Sequence, residues 1–287
     1  MKLQRLLSLT RQAVDDYRLI QSGDKIAIGI SGGKDSLTLL YALQGLRRFY
    51  PEPFELCAIT VDLGFQALSP EVSNRLSPTL SSDAAAFDLK PVQELCDELN
   101  VPYTVVPTEI GKILFEIRQE SNPCALCAKM RKGALNEAAL KLGCNKIALG
   151  HHYDDVIETI LMGMLYGGQV QTMMPKLHST NFEGMELIRP MYLIRENEIK
   201  RWRDYNDLHF IQCACKFTDT CTSCNPDNAS KRQEIKNMIK QMSKINPQVE
   251  SNIFKSVENV NLDTVIAFKK DGVKHNFLEK YKNKEKE

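Results

Sequence analysis

The junction between residues 25 and 36 constrains the fold more than any other feature of this chain. Lys25-Ile26-Ala27-Ile28-Gly29-Ile30 has the apolar, β-branched look of a buried strand, and it runs straight into Ser31-Gly32-Gly33-Lys34-Asp35-Ser36. Leu37-Thr38-Leu39-Leu40-Tyr41-Ala42-Leu43 then continues as a helix. Backbone N–H groups at Ser31, Gly32 and Gly33 can approach an anion closely, a helix starting near Ser36 adds its positive end, and Lys34 adds a point charge. The commoner phosphate loop is excluded, because there Ser or Thr follows Gly-Lys directly and here Asp35 does. Dinucleotide binding fits poorly, since Gly29, Gly32 and Gly33 do not reproduce G-x-G-x-x-G. A Gly-Gly pair after a strand is commonly just a turn, but the flanking serines, the Lys-Asp pair and the following helix argue for a nucleotide loop.

Strand-like runs at 25–30, 55–61, 103–106, 145–149 and 186–189 alternate with helical patterns near 36–49, 90–99, 128–142 and 153–166. This alternation predicts an α/β fold: a Rossmann-like parallel sheet with helices on both faces, followed by C-terminal helices. Ligands of such sheets bind beyond the carboxyl ends of the strands. Asp62 and Gly150-His151-His152 are therefore candidates alongside the first loop. The expected organisation is an N-terminal helix over 1–22, a nucleotide-binding α/β domain over 23–212 with a mobile insertion at 67–87, and a cysteine-bearing segment with C-terminal helices over 213–287. Helices are expected from Ser230 onward and again after Pro247, with a frayed, charged tail from Lys280.

At 287 residues the chain can bury a sizeable core, and its net charge of +1 excludes a protein coated in basic residues. The start, with Arg5, Arg11, Asp15 and Asp16 interrupting its apolar positions, reads as an amphipathic helix rather than a secretory signal or membrane span, so the expected location is cytoplasmic. Nine cysteines in such a chain point away from a disulfide framework and toward metal or chemistry. Cys57, Cys96 and Cys144 sit in apolar patterns and read as small buried hydrophobes.

Cys124-Ala125-Leu126-Cys127 is a C-x-x-C with Lys129, Arg131 and Lys132 close behind it. Redox use expects this motif just after the first strand of a βαβ unit, which is not its place here. Metal binding is favoured by a second group, Cys213, Cys215, Cys221 and Cys224, in a stretch with little apolar pattern. Thiolates without histidine suit zinc or an iron–sulfur cluster. Either the downstream four close a zinc site of their own, or one joins Cys124 and Cys127 around a shared cluster, and spacing leaves both open. His151 and His152 lack a suitably spaced third histidine and read as lining the nucleotide site.

Several motifs occur together and in order: the loop 31–36, the C-x-x-C followed by Met130-Arg131-Lys132, the stretch from Lys146 through Gly150-His151-His152-Tyr153-Asp154-Asp155, the turn Tyr166-Gly167-Gly168, and Ile188-Arg189-Pro190. In this the chain resembles the pyrophosphate-loop (PP-loop, HUP-like) ATPases and, among them, the TtcA-type tRNA 2-thiocytidine synthetases, over roughly residues 20–240. The resemblance implies ATP cleaved between its α and β phosphates, adenylation of the C2 carbonyl oxygen of a tRNA cytidine at position 32, and replacement of that oxygen by sulfur. It implies ATP, Mg²⁺ and a [4Fe-4S] cluster as cofactors. The cluster would be held by Cys124, Cys127 and a third cysteine, for which Cys224 fits the spacing to Lys231-Arg232 and Cys213, Cys215 and Cys221 are the alternatives.

On that reading Ser31, Gly32, Gly33, Lys34, Asp35, Ser36, Asp62 and Gly150 hold the nucleotide. Lys34, Asp155, Cys124 and Cys127 carry the chemistry, with Asp155 orienting or deprotonating the base. Arg131 and Lys132 also serve as cofactor-binding residues and lower the thiol pKa. A terminal persulfide on Cys124 or Cys127 is the alternative sulfur carrier. Partners are tRNA and a sulfur donor such as a cysteine desulfurase or sulfide, no membrane is involved, and pairing as a homodimer stays open. Trp202 and Tyr205 are candidates to stack a splayed base, although core packing is the plainer reading for both. Competing functions are thiolation of a uridine, another adenylating enzyme with a structural zinc site, and a non-catalytic nucleotide- and metal-sensing RNA-binding protein.

Overall fold

In the computed structural model, which describes residues 3–69, 71–72, 88–119, 123–208 and 231–279, the central strand is β1 (Lys25–Gly29). Ile26, Ala27 and Ile28 are buried on both faces, so the strand has no solvent side and reads as a continuous apolar run. It pairs in parallel with β2 (Glu55–Asp62) and β4 (Lys146–Ala148), so that Ile28 lies between Ala58 and Ala148. The sheet order is β3-β2-β1-β4-β6-β5, with β3 (Tyr103–Pro107), β5 (Lys176–His178) and β6 (Glu186–Ile188). Only β5 at the edge runs antiparallel. From β1 the chain builds outward to β3, then crosses back to place β4 on the other side of β1. That reversal opens a crevice between the carboxyl ends of β1 and β4.

Helix α2 (Lys34–Arg47) buries Leu37, Leu39, Leu40, Leu43 and Leu46 in the core shared with β1. Each such side chain contributes about 1.5–3 kcal/mol on burial. Helix α1 (Gln4–Asp16) closes this core with Leu6 and Val14. Helices α3 (Lys90–Glu98) and α4 (Pro123–Lys141) follow, the latter on the other face of the sheet, where Leu135 and Ala139 meet Ala27, Cys57 and Ile147. The thiols of Cys57 and Cys144 are buried 3.3 Å apart in that cluster. Trp202 of α6 (Glu196–Tyr205) is a core residue in a T-shaped contact with Tyr41, whereas Tyr205 is exposed.

A satellite cluster joins α5 (Tyr153–Gly167) to α7 (Lys231–Ile245) and α8 (Val249–Ser256) through Val156, Ile157, Ile160, Ile235, Ile239 and Phe254. The chain then forms a hairpin of β7 (Ala267–Lys270) and β8 (Val273–Asn276) that the helical expectation for the C-terminal region did not include. Its turn residues Asp271 and Gly272 have φ of +51° and +78°, the two left-handed positions of a type I′ turn. No helix among the described residues is long and apolar enough to cross a membrane.

Candidate active site

The loop after β1 is built to leave N–H groups pointing outward. Gly32 has a φ of +78°, which favours glycine, and the backbone N–H groups of Gly32 and Gly33 meet no acceptor among the described residues. Ser36 holds the loop from inside: its hydroxyl donates to Gly33 O at 3.0 Å and accepts from Ser31 N at 3.2 Å. Gly33 precedes the first turn of α2, so the loop and the positive end of that helix coincide. Across the crevice, a Cβ on Gly150 would lie 2.9 Å from the backbone of Asp35. Only glycine permits the loop after β4 to approach this closely.

Lys34 Nζ lies 2.8 Å from Asp35 and 3.3 Å from Glu196, the first residue of α6. Glu196 also receives Lys200 at 3.1 Å and Lys236 of α7 at 2.7 Å. Burial pushes its carboxyl up, but the hydrogen bonds from Lys236 and Lys200 and the charge of Lys34 outweigh this and hold it down at about 2. Glu196 thus ties the phosphate-type loop to the helix that follows the downstream cysteines.

The head of α5 supplies the second carboxylate group. Asp155 accepts from the backbone N–H of His152 at 3.1 Å and pairs with Arg232 of α7 at 3.1 Å. Asp154 is taken up differently, accepting both nitrogens of the Arg195 fork and the N–H of Glu196 at 2.7 Å. His152 is buried with Nε2 3.6 Å from Asp155 and 3.8 Å from Asp35, and its Nδ1 has no hydrogen-bond partner among the described residues. One turn beyond Asp155 sits Glu158, 3.5 Å from Arg232. Burial raises its carboxyl to about 7, against the opposing charge of Arg232. His151 is pressed down to about 4 by burial and by the adjacent Arg189 charge, and its Nδ1 therefore accepts from Arg189 Nε at 3.4 Å.

Arg189, at the carboxyl end of β6, is only 8% exposed and donates to the Met174 carbonyl as well. No carboxylate among the described residues pairs with it. Burial lowers its own pKa to about 10. A buried guanidinium with no direct ion pair, on which Asp155 acts only from beyond ion-pair distance, at the ligand-binding end of a parallel sheet, is a standing attraction for an anion.

Cys124 and Cys127 lie in the first turn of α4, which begins at Pro123 rather than after the motif. Cys124 is exposed, while Cys127 is half-buried against the cluster of Leu63, Ile110, Leu114 and Phe115. Leu63 directly follows Asp62 at the end of β2, so the motif is carried to the same carboxyl edge of the sheet as the loop. Two thiols three residues apart in one helical turn suit two ligands of a soft metal centre. Among the described residues no further His, Cys, Asp or Glu completes a metal group with them. Cys213, Cys215, Cys221 and Cys224, and most of the 67–87 segment, lie outside the described residues.

The carboxylate of Asp62 accepts from Gly64 N at 3.0 Å, capping its own turn. Lys129, Arg131 and Lys132 are exposed on α4. Lys200, Arg232 and Lys236, by contrast, are engaged in the ion pairs described above, and Lys231 stacks on Tyr166 at 5.0 Å. Sequence reasoning missed Glu158 and Glu196 as site residues. The first lies three residues after Asp155, hence on its face of α5, and the second opens a helix shortly after Arg189-Pro190.

A family model described as a PP-loop domain matches residues 4–242. The tRNA-cytidine(32) 2-sulfurtransferase of Syntrophotalea carbinolica is 35% identical over 258 residues, spanning 90% of this chain and 89% of its own length. That of Geobacter sulfurreducens is 33% identical, spanning 90% and 91%. Among solved structures, the U34-tRNA thiolase NcsA from Methanococcus maripaludis with its [4Fe-4S] cluster superposes with a TM-score of 0.64 over 90% of this chain and 80% of its own, at 22% identity, a likeness of fold.

Proposed function

This chain belongs to the PP-loop domain family and, through its curated relatives, to the tRNA-cytidine(32) 2-sulfurtransferases, and from that premise we propose that it adenylates the C2 carbonyl oxygen of cytidine 32 in tRNA and replaces it with sulfur. The observation that carries this reading is the convergence on one sheet edge of an N–H cradle, at Gly32 and Gly33, and a thiol pair, at Cys124 and Cys127.

The loop residues Ser31, Gly32, Gly33, Lys34 and Ser36 hold the β and γ phosphates, and Asp35 is the loop carboxylate available to a Mg²⁺ ion carried by the nucleotide. Lys34 exchanges its contact with Asp35 for one with the nucleotide. Arg189 faces the negative charge that grows when the bond between the α and β phosphates breaks. The C2 oxygen bonds to the α phosphorus and pyrophosphate leaves. A sulfur nucleophile then bonds to C2, the C2–O bond breaks, and AMP departs with the former carbonyl oxygen. Asp155 orients the base, while Glu158, poised near neutrality, takes the proton released as hydrosulfide becomes the C2=S group.

Cys124 and Cys127, with Cys224 or one of Cys213, Cys215 and Cys221, would hold the [4Fe-4S] cluster. Such a cluster with one iron free of protein ligands supplies a binding place for sulfide. Arg131 and Lys132 favour the thiolate forms.

The test is to incubate anaerobically purified protein with ATP, sulfide and unmodified tRNA, then to measure pyrophosphate and the tRNA nucleosides by mass spectrometry. Pyrophosphate and 2-thiocytidine are expected together. Pyrophosphate with no thionucleoside would point to another adenylating enzyme, and 2-thiouridine would move the target base. The protein is expected to be brown and to lose its colour in Cys124→Ala and Cys127→Ala. Colourless protein with stoichiometric zinc contradicts the cluster.

A further inference from the structure

The hairpin of β7 and β8 lies beyond residue 242, where the family match ends, and none of the chemistry above uses it. Neither strand packs extensively on another element of the described chain. A lone two-stranded hairpin is marginally stable in water, so an arm of this kind is expected to gain a partner surface.

Its side chains indicate which partner. Lys269 and Lys274 are directly opposite each other in the register, on one face of the hairpin. Like charges in that position repel. Among the described residues no carboxylate pairs with Lys269, Lys270 or Lys274. On the opposite face Phe268 and His275 stack at 5.0 Å, an aromatic surface of the kind that RNA bases use. Ile266, 77% exposed, Val273 and Phe277 leave apolar surface around the arm. The arm is also tethered close to the site: Phe254 of α8 stacks on Tyr153, at the head of α5, at 4.5 Å. The linker 257–266 spans at most about 35 Å when extended.

We propose that this hairpin is an arm that grips the phosphodiester backbone of the tRNA, with Lys269 and Lys274 straddling phosphates whose charge relieves their mutual repulsion. This inference rests on the tRNA reading given above.

Lys269→Glu separates the roles. It places opposite charges across the two strands, which repairs the hairpin as a structure, yet it reverses charge toward RNA. Full-length protein is titrated with tRNA at several salt concentrations, and thiolation is followed in parallel. Lys269→Glu is expected to weaken tRNA binding by roughly tenfold at 0.1 M salt and to flatten the salt dependence by about one released counterion. It should raise KM for tRNA with little change in kcat and leave thermal stability equal or higher. Lys269→Gln with Lys274→Gln should flatten the salt dependence by about two. A Lys90→Glu control on α3 should do none of this. Wild-type affinity and salt slope retained in Lys269→Glu, in protein that still thiolates tRNA, overturns the arm and leaves the enzymatic reading standing. A wild-type chain that neither binds nor thiolates tRNA overturns both. Binding of wild type, but not Lys269→Glu, to anionic lipid vesicles with tRNA affinity unchanged assigns the arm to a membrane surface instead and also overturns it.

Discussion

Two cations are buried in the same sheet, one at each end, and they are treated in opposite ways. At the amino end Lys146, whose side chain is 2% exposed, meets Asp24 at 3.0 Å, Glu186 at 2.9 Å and the Leu19 carbonyl at 2.9 Å. At the carboxyl end Arg189 has a carbonyl and an imidazole as hydrogen-bond partners, and Asp155 acts on it only by its charge, from beyond ion-pair distance. Burial pushes Lys146 toward its neutral form, but the two carboxylates more than reverse this and its pKa rises. For Arg189 burial prevails. The amino end is thus electrostatically closed and serves the fold. The carboxyl end keeps a positive charge that no direct ion pair neutralises, which is what an anion-binding site requires.

The contrast breaks if the two cations prove interchangeable. Lys146→Met, which leaves buried Asp24 without a counter-charge and Glu186 with Lys176 at 3.0 Å in place of two lysines, should cost about 3–5 kcal/mol of stability, read from urea unfolding. Combining it with Asp24→Asn and Glu186→Gln should recover much of that loss. Arg189→Met is expected to do the reverse, lowering ATP-dependent pyrophosphate release about 100-fold while the urea midpoint stays within error or rises. Equal stability losses in the two variants would remove the distinction.

A smaller effect concerns Glu158. Its folded pKa, near 7, is above its unfolded value, so the folded state binds the proton more tightly. Ionising it therefore penalises folding, with no penalty below about pH 4, a growing one as pH rises toward 7, and a constant one above. Glu158→Gln should accordingly be more stable than wild type at pH 8, by about 1–3 kcal/mol, and nearly equal to it at pH 4.5. Glu196 has the opposite sign: its depressed pKa stabilises the fold above its unfolded value and this contribution is lost as pH falls toward about 2. Acid unfolding of Glu196→Gln should thus begin from a lower baseline and show a shallower slope below pH 4.5.

How far the sequence reveals this contrast follows from what each part depends on. β1 and the loop at 31–36 are legible because both are local: an apolar run with no polar side, then glycines where backbone must approach a ligand. The pairing of Lys146 with Asp24 and Glu186 is not legible, since it joins three segments that only the sheet order brings together. Glu196 is hidden for the same reason, its partners lying on α2, α6 and α7. β5 has three residues and sits at an edge, too short for an alternating pattern to register. Two local signals were present and passed over. Pro123 marks a helix start ahead of the C-x-x-C. Asp271-Gly272 marks a hairpin turn between short runs. Core packing is the plainer reading of Trp202 and Tyr205 alike, and it holds for Trp202, against Tyr41 on a distant helix, but not for Tyr205, which is exposed.

The division of labour between the two halves of the site is tested most directly by single-turnover measurement of AMP and 2-thiocytidine from one reaction mixture. With wild type, AMP and thiocytidine should form in equal amounts. With Lys34→Ala both should fall together by about 100-fold. With Cys124→Ala, tRNA-dependent pyrophosphate release should persist while thiocytidine disappears. Undiminished thiocytidine from Cys124→Ala, or undiminished AMP from Lys34→Ala, would contradict an enzyme that activates at the loop and delivers sulfur from the cysteines.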